Sequence, residues 1–322
     1  MNIAVLGMGS ISSRHRKNLK KLYPNANIIV MPARERVVDI QHVENADVVV
    51  NNIDEMTAYP LNFAIVASPA SLHIEQTLML VKSNIPVLIE KPVGLKLEQV
   101  QVLEAELALN PTQVNVAYCL RFMPALESVK KILDQQQLGN ILNIHSEVGQ
   151  FLPDWRSDKD YTQSVSSSLA LGGGALFELS HEFDYLHYLF GDLSHQYSYL
   201  RCSAELNLEV EDLADVMLTT KCGAVCYVHL DFLQETAQRF CTITGTKGRL
   251  KWDLIENKVS VLSNQDETVI FSDQGWDKNE MYLSMINDFV LKGGRACSLL
   301  DAKSTLQLIL TIKATSKMVK TL

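Results

Sequence analysis

Short apolar runs alternate with amphipathic stretches over roughly the first 120 residues of the chain. The apolar runs predict strands, and the stretches between them repeat their apolar residues with helical spacing. Such an alternation predicts a parallel sheet that is covered by helices on both faces. The predicted strands are 3–7, 28–31, 48–51, 63–67, 87–90 and 114–118, and the predicted helices include 10–22, 72–82 and 97–109.

The pattern changes after residues 121–122, where a predicted helix leads into longer segments of alternating apolar and polar residues. Alternation with a period of two predicts strands with one buried face, and hence an open, mainly antiparallel sheet. We therefore expect two domains, 1–120 and 121–322. The predicted strands of the second domain are 141–150, 197–204, 215–232, 240–252 and 258–262. Its predicted helices are 124–137 and, covering one face of the sheet, 175–190, 279–292 and 301–320.

Composition narrows the classes of protein to which this chain can belong. Its 322 residues suffice for two domains, and a formal net charge of -8 argues against a general nucleic-acid surface. No apolar run reaches the roughly 18 residues of a membrane span, and the N-terminus enters a strand without a signal-peptide pattern. We expect a cytoplasmic protein with no membrane partner.

The cysteines support that expectation, because they are scattered and no pair has C-x-x-C spacing. We interpret them as reduced thiols, and the closest two, Cys222 and Cys226, as strand neighbours and not as zinc ligands. No metal site is predicted. The six cysteines are Cys119, Cys202, Cys222, Cys226, Cys241 and Cys297.

Gly7 and Gly9 form a turn, G-M-G-S-I-S, directly after the first predicted strand and before the first predicted helix. The start of a helix offers backbone N–H groups, here those of Ser10 and Ile11, to a pyrophosphate. Ser12 stands where the third glycine of the G-x-G-x-x-G pattern is expected. The alternative is an ordinary glycine turn, but its place in a strand-helix alternation favours dinucleotide binding.

The choice between NAD and NADP depends on the end of the second predicted strand, where residues 30–34 contain no carboxylate and the first is Glu35. A carboxylate at this place would bind the ribose 2'-hydroxyl of NAD, whereas Arg34 or Arg36 would suit the 2'-phosphate of NADP. We expect NAD or NADP, with a slight preference for NADP. The alternative is that both arginines are solvated loop charges.

Two motifs end neighbouring predicted strands, S-P-A-S-L-H over 68–73 and E-K-P over 90–92. Ligands of open parallel sheets bind outside the carboxyl ends of the strands, so Lys91 is expected to project toward a nicotinamide. The alternatives are a surface lysine and, for His73, a helix residue that follows an N-cap at Ser71. The residues that these motifs are expected to place at the cofactor are Ser68, Pro69, His73, Glu90 and Lys91.

In the second domain, Glu178, His181, Glu182 and Tyr185 have the spacing of one face of a helix. From spacing alone this face would be the solvated side of an amphipathic helix. The three glycines at 172–174 just before it favour a functional site, because consecutive glycines allow a backbone or a ligand to approach closely. A carboxylate one turn from a histidine can fix its tautomer and tune its basicity, as a general base requires.

Together these motifs resemble the glucose-fructose oxidoreductase / inositol dehydrogenase family (Gfo/Idh/MocA) over nearly the whole chain. The segments that carry the resemblance are G-M-G-S-I-S, S-P-A-S-L-H, V-L-I-E-K-P, L-R-F and G-G-G-A-L-F-E-L-S-H-E-F-D. The resemblance implies an α/β Rossmann domain and an α+β C-terminal domain with an open, mainly antiparallel sheet. It also implies hydride transfer between NAD(P) and a hydroxyl of a sugar, polyol or nucleotide-sugar.

By that resemblance Lys91 matches the catalytic lysine, His181 the acid/base histidine and Glu178 the carboxylate before it. Glu178 replaces the usual aspartate and stands one residue closer to the histidine than in the commonest pattern. The segments 149–156 and 160–161 are similar to the substrate-side loop of members associated with surface-sugar or nucleotide-sugar pathways. The expected substrate-binding residues, for which domain-interface packing is the alternative, are Arg121, Trp155, Arg156 and Tyr161.

Two other functions are compatible with the same scaffold. One is a non-catalytic sensor of NAD(P) or sugar, which the presence of both Lys91 and His181 argues against. The other is a lyase or glycosidase that reduces and reoxidises NAD within each cycle. We further expect a homodimer or homotetramer, built through the sheet of the second domain.

Overall fold

The structure is a computed structural model that describes residues 1–34, 43–156, 160–263 and 266–320. The side chain of Arg156 also lies outside the description. The chain divides into two compact units, the first formed by 1–119 with 279–306 and the second by 120–278 with 307–322. Within the described ranges, no helix combines the length and the apolarity that a membrane crossing needs.

Strands and helices follow one another along both units. The strands are β1 (Asn2–Leu6), β2 (Asn27–Met31), β3 (Val48–Val49), β4 (Phe63–Val66), β5 (Val87–Ile89), β6 (Val114–Val116), β7 (Ile141–Gly149), β8 (Leu193–Cys202), β9 (Leu213–Thr220), β10 (Val225–Asp231), β11 (Gln238–Gly245), β12 (Gly248–Asp253), β13 (Lys258–Ser263), β14 (Asp266–Ser272), β15 (Cys297–Ser298) and β16 (Met318–Lys320). The helices are α1 (Ser10–Leu22), α2 (Ile53–Thr57), α3 (His73–Lys82), α4 (Leu97–Leu109), α5 (Pro124–Asp134), α6 (Ala175–Glu178), α7 (His181–Phe190), α8 (Glu280–Leu291) and α9 (Leu299–Thr315).

The first unit contains a seven-stranded sheet in the order β15-β6-β5-β4-β1-β2-β3. Strands β1 to β6 pair in parallel, and only the short β15 pairs antiparallel with its neighbour β6 among the described strands of this sheet. The central strands are buried on both faces, so they have continuous apolar sequences and no alternation. The predicted Rossmann domain is confirmed.

Residues 279–306 join this first unit, although the sequence pattern placed them in the second domain. Helix α8 packs on α1, where the side chains of Asn18 and Asn279 exchange hydrogen bonds of 2.8 and 3.1 Å. Cys297 and Ser298 pair with β6. The predicted helix 279–292 therefore belongs to the first unit, within which its apolar residues are buried.

The second unit contains an open nine-stranded sheet in the order β14-β13-β12-β11-β7-β10-β9-β8-β16. Its pairs are antiparallel except for β7 with β10 and β8 with β16, so the prediction of an open, mainly antiparallel sheet is confirmed. Residues of one strand parity are buried along the central strands β7, β9 and β10, on which α6 and α7 pack; in β7 they are Ile144, Ser146 and Val148. The opposite parity forms the outer face.

Several predicted elements have different bounds. The predicted strands 215–232 and 240–252 are each a hairpin, and Gly223 supplies the positive φ of +86° that the first turn requires. The predicted helix 301–320 ends at Thr315 and is followed by β16, which extends the sheet beside β8. Strand β14 is highly exposed and has no alternating pattern of burial by which the sequence could reveal it.

Candidate functional site

Gly7 allows β1 and β4 to approach each other at their carboxyl ends. Its φ is +106°, and a Cβ at this position would overlap the carbonyl oxygen of Ala67 just after β4. The Gly7 N–H donates to Met31 O at 2.8 Å. The packing of neighbouring strands therefore requires the first glycine.

Gly9 has different surroundings, because a Cβ there would meet no atom of the described residues within 4 Å. Gly9 is the N-cap of α1, its φ is -77°, and no side chain caps the helix or places an acid in its first turn. Ser10 is exposed and Ile11 is half-buried, so the first-turn N–H groups face open space. The open space, the uncapped N–H groups and the helix dipole fit the pyrophosphate of a dinucleotide.

The Ser12 side chain stabilises the glycine turn by a buried hydrogen bond. Its hydroxyl is fully buried and donates to Gly7 O at 2.6 Å, while Arg16 Nη1 donates to the same hydroxyl at 2.7 Å. Arg16 Nε in turn donates to Glu44 O. The serine at the third position of the glycine pattern thus replaces close packing of helix on strand by a hydrogen bond to the turn.

The E-K-P segment follows β5 and carries a cis peptide bond between Lys91 and Pro92. Glu90 is buried, accepts from His15 Nε2 at 2.7 Å with one oxygen, and accepts the Lys91 N–H at 3.1 Å with the other. Burial opposes ionisation of Glu90, but the hydrogen bond and charge of His15, together with Lys91, lower the pKa of this carboxyl below its usual value. Lys91 itself is half-buried.

Ser68 and His73 are also buried and bind protein groups. Both ring nitrogens of His73 lie 2.8 Å from carbonyl oxygens, Nδ1 from Pro92 O and Nε2 from Ser68 O. Burial lowers the pKa of His73, against the opposing effect of the two carbonyls. The Ser68 hydroxyl donates to Gln76 Oε1 at 2.6 Å.

The ten residues expected at the cofactor thus divide into two groups. Ser68, His73 and Glu90 hold the strand ends together from within the unit, and Gly7 is buried between strands. The accessible ones are Gly9, Ser10, Ile11, Arg34, Pro69 and Lys91.

Arg34 is exposed and follows β2 by three residues. The turn before it is held by Gln76, whose amide donates to Ala33 O at 2.8 Å. Glu35 and Arg36 lie outside the described residues.

In the second unit, Gly173 and Gly174 of the three-glycine segment are packed against protein. A Cβ on Gly173 would lie 2.5 Å from Ser166 O, and one on Gly174, where φ is +103°, would lie 2.5 Å from a carboxylate oxygen of Glu211. Glu211 also accepts the Leu176 N–H at 3.3 Å and binds Lys313 at 2.7 Å. The close approach that the glycines permit is therefore to backbone and to Glu211.

Glu178 and His181 belong to different helices, because α6 ends at Glu178 and α7 begins at His181. Leu179 leaves helical geometry with a ψ of 23°. The prediction of one continuous helix over 175–190 is wrong. Helix α6 begins directly after Gly174 and has only four residues. Leu176 and Leu179 are both buried in the core. Both Glu178 and His181 are half-buried.

Two residues of the predicted face, Glu182 and Tyr185, are buried against the sheet and not solvated, and each is 0% exposed, as is Asp184. Arg239 of β11 binds both oxygens of Glu182, at 2.7 and 3.0 Å. The Tyr185 hydroxyl is 2.6 Å from that of Ser146, and burial raises the pKa of this phenol well above its usual value. Buried charges need such partners, which other elements supply.

The sequence feature that indicates a buried carboxylate at Glu182 is Arg239. Arg239 has the same strand parity as the buried Cys241 and Ile243, which places a charge on the covered face. An arginine at an inward position indicates a buried carboxylate opposite it.

The residues expected to bind substrate have varied surroundings. Arg121 is 2% exposed, and its guanidinium binds both oxygens of Asp184 at 2.8–3.2 Å. The Trp155 ring packs edge-on against Phe232 with centroids 5.3 Å apart. The Tyr161 hydroxyl donates to Leu206 O at 3.3 Å.

The four substrate roles stay predictions. Arg121 is largely engaged within the unit, Trp155 and Tyr161 are half-buried, and the side chain of Arg156 lies outside the described part of the chain. No group of residues that could hold a metal ion occurs among the described residues. All six cysteines are free thiols, and only Cys222 is exposed.

Similarity to curated proteins covers part of their length. An uncharacterized oxidoreductase of Synechocystis sp. is 35% identical over 143 residues, which are 44% of this chain and 38% of that protein. An inositol 2-dehydrogenase of Burkholderia multivorans is 23% identical over 230 residues, 69% of this chain and 65% of that protein. The chain thus matches less than two thirds of the length of either relative.

Similarity to solved structures is broader. A crystal structure of an NAD-binding oxidoreductase from Klebsiella pneumoniae has a TM-score of 0.82 at 16% identity and covers 98% of this chain and 96% of that one. A levoglucosan dehydrogenase in complex with NADH has a TM-score of 0.82 at 17% identity, with 98% and 97% covered. At such identities the similarity shows the fold.

Two family models match the chain in succession. The model of the oxidoreductase family with an NAD-binding Rossmann fold matches residues 1–118, and the model of the GFO/IDH/MocA C-terminal domain matches residues 126–251. Both belong to the family that the sequence motifs resemble, and their order is the order of the two units. The chain is a member of the Gfo/Idh/MocA oxidoreductase family.

Proposed function

We propose that this protein is an NAD(P)-dependent oxidoreductase that transfers hydride to or from a hydroxyl-bearing carbon of a sugar, polyol or nucleotide-sugar. The observation that carries the proposal is the open space at Gly9 before the uncapped start of α1. Lys91, half-buried at the end of a strand of the same sheet, supplies a cationic group of the kind the chemistry needs. The two family matches and the inositol 2-dehydrogenase relatives support the class of reaction.

In the oxidation direction His181 accepts the proton of the substrate hydroxyl. Lys91 donates a hydrogen bond to the same oxygen and stabilises the negative charge that develops there. A bound nicotinamide would supply the acceptor for the hydride that leaves the substrate carbon. Reduction reverses the three roles, so that His181 returns the proton. Glu178, the last residue of α6, is proposed to tune the basicity of His181, the first residue of α7.

NADP is the cofactor for which the exposed Arg34 offers an additional contact. A guanidinium binds phosphate through two N–H groups in one plane, whereas the 2'-hydroxyl of NAD needs an acceptor. A slight preference for NADP therefore rests on Arg34 alone, since Arg36 lies outside the described residues.

The outer face of the sheet is proposed to join copies of the protein into a homodimer or homotetramer. On that face Tyr197 and Tyr199 of β8 are 64% and 37% exposed, and Tyr227 of β10, on the other side of β9, is 48% exposed. Aromatic side chains grouped on an exposed sheet face are typical of association surfaces. The cytoplasm stays the predicted compartment.

Substrate and cofactor can be sought by a thermal-shift screen with NAD, NADP and a panel of free and nucleotide-linked sugars and polyols. A ligand that binds only the native state raises its melting temperature. We expect a shift with a dinucleotide, and a further shift in its presence with a carbohydrate. No shift with either dinucleotide would contradict the proposed function.

Replacement of the two catalytic residues tests the mechanism. Lys91→Ala and His181→Ala should each lower kcat by about 10²-fold or more, while cofactor affinity changes little. The double variant should lose less than the product of the single losses, because residues that act on one oxygen are not additive. His181→Ala should also remove the acidic limb of the pH profile for oxidation.

Lys96→Ala is the matched control, since Lys96 is an exposed lysine five positions further along the chain. Its kcat should equal that of the native protein. Near-normal turnover by His181→Ala on the true substrate would refute the proposed mechanism.

A further inference from the structure

Two buried histidines bind the two residues that flank Lys91. His15 Nε2 donates to a carboxylate oxygen of Glu90 at 2.7 Å, and His73 Nδ1 lies 2.8 Å from the carbonyl oxygen of Pro92. His15 and His73 are 0% and 1% exposed. Neither ring can reach a ligand from such a position, so both act through other residues of the protein.

His73 connects the segments that follow two neighbouring strands. Its second ring nitrogen, Nε2, lies 2.8 Å from Ser68 O after β4, while Nδ1 contacts Pro92 O after β5. A neutral imidazole carries one N–H and can donate to only one of these carbonyls, whereas imidazolium can donate to both. The contact to Pro92 fixes the backbone on the C-terminal side of Lys91.

His15 holds the other side of Lys91. It lies on α1, the helix whose first turn faces the open space at Gly9, and binds Glu90. The second carboxylate oxygen of Glu90 accepts the Lys91 N–H at 3.1 Å. The chain of contacts thus leads from the dinucleotide-binding helix through one carboxylate to the backbone of Lys91.

We propose that His15 and His73 are positioning residues for Lys91, a role that rests on the proposed function of that lysine. The lysine side chain has four rotatable bonds, so its ammonium group is placed accurately only if the backbone that carries it is fixed. A misplacement of about 1 Å at a reacting group costs on the order of 10²-fold in rate. Fixing residues 90 and 92 from two different elements removes that freedom.

A pair of substitutions separates the two contacts of His73. The amide nitrogen of Asn occupies the place of Nδ1, and that of Gln the place of Nε2. His73→Asn should therefore keep the contact to Pro92 O and a kcat within about threefold of native. His73→Gln keeps only the contact to Ser68 O, and its kcat should fall about tenfold or more with an unchanged KM and NADH affinity.

For His15 the conservative variant is Gln and not Asn, because this histidine makes its contact through Nε2. His15→Gln retains a donor at the place of Nε2 and should keep the contact to Glu90, whereas His15→Asn is too short to do so. We expect His15→Asn, and not His15→Gln, to lower kcat about tenfold. If the histidines had a merely structural role, the two variants of each pair would have equal kcat values.

Labelling of Lys91 gives a readout that needs no substrate. Each folded variant is treated with a trace of acetic anhydride, and mass spectrometry compares the acetylation of Lys91 with that of the exposed Lys96. The ratio should change severalfold in His73→Gln and His15→Asn and stay native in His73→Asn and His15→Gln. Equal ratios in all four variants would overturn the proposal.

The labelling also keeps this proposal separate from the function on which it rests. If Lys91→Ala retains native turnover, the proposed function fails, but the ratios still decide whether the histidines hold Lys91. If Lys91→Ala is inactive and all four histidine variants are fully active with native ratios, the function stands and the positioning role is refuted.

Discussion

The contrast between Gly7 and Gly9 gives a prediction that separates folding from cofactor binding. Gly9→Val adds a side chain where no atom of the described ranges lies within 4 Å of a Cβ, at a φ of -77° that any residue can adopt. Its cost should be about 1 kcal/mol, the loss on placing a β-branched residue at an N-cap. Gly7→Ala adds a Cβ against the Ala67 carbonyl at a φ of +106°, and backbone strain and overpacking together predict roughly 2–6 kcal/mol.

The effect on cofactor affinity should be the reverse of the effect on stability. A valine at position 9 occupies the space of the pyrophosphate and removes hydrogen bonds from the first turn of α1. Two such bonds to a charged group, at about 1.5 kcal/mol each, amount to about 3 kcal/mol, or somewhat more than 100-fold in Kd. Gly9→Val should thus be folded, and it should not bind NAD(P) at dinucleotide concentrations that saturate the native protein.

Urea unfolding and titration calorimetry with NADH and NADPH measure the two quantities separately. Gly9→Ala, with a smaller side chain at the same place, should show an intermediate loss of affinity. A folded Gly9→Val protein with native affinity for both dinucleotides would refute the assignment of this turn.

Three further predictions concern the cofactor, the sheet and the assembly. Arg34→Ala should weaken NADPH binding more than NADH binding in calorimetry, and equal losses would show that Arg34 does not bind the 2'-phosphate. His229 donates to Asp215 and Asp231, and these hydrogen bonds raise its pKa from 6.5 to about 10. The contact should stabilise the fold fully below pH 6.5 and lose its effect as the pH rises through about 10, so urea unfolding of native protein and His229→Gln should converge there. Light scattering should give a multiple of 36.1 kDa, and a monomer at micromolar concentration would contradict association through the sheet.

The Rossmann unit was predictable because its order and its chemistry have local signals. A buried parallel strand is a continuous apolar run, and the turn at Gly7 and Gly9 directly follows the first of them. What the sequence did not reveal was which of the two glycines packs against a neighbouring strand and which lies in accessible space. That distinction depends on the position of Ala67, about sixty residues further along the chain.

The second unit was harder to predict because its polar residues are paired across long distances in sequence. Glu182 and Asp184 are both fully buried on α7, and Arg239 and Arg121, which lie on other elements, bind their carboxylates. The strand pattern places Arg239 on the covered face but does not identify Glu182 as its partner. For the same reason the packing of residues 279–306 with the first unit had no signal in the alternation of apolar and polar residues.

The most direct test of the central claim is the absorbance of reduced nicotinamide when the protein is mixed with NAD or NADP and each member of the carbohydrate panel. The account predicts net formation of NADH or NADPH with at least one sugar, polyol or nucleotide-sugar, in an equal amount to the oxidised product. It predicts no formation by Lys91→Ala at the same protein concentration. Turnover of a carbohydrate without net reduction of the cofactor would identify a lyase or glycosidase. Binding without any turnover would indicate a sensor. Either result would contradict the assignment as a dehydrogenase.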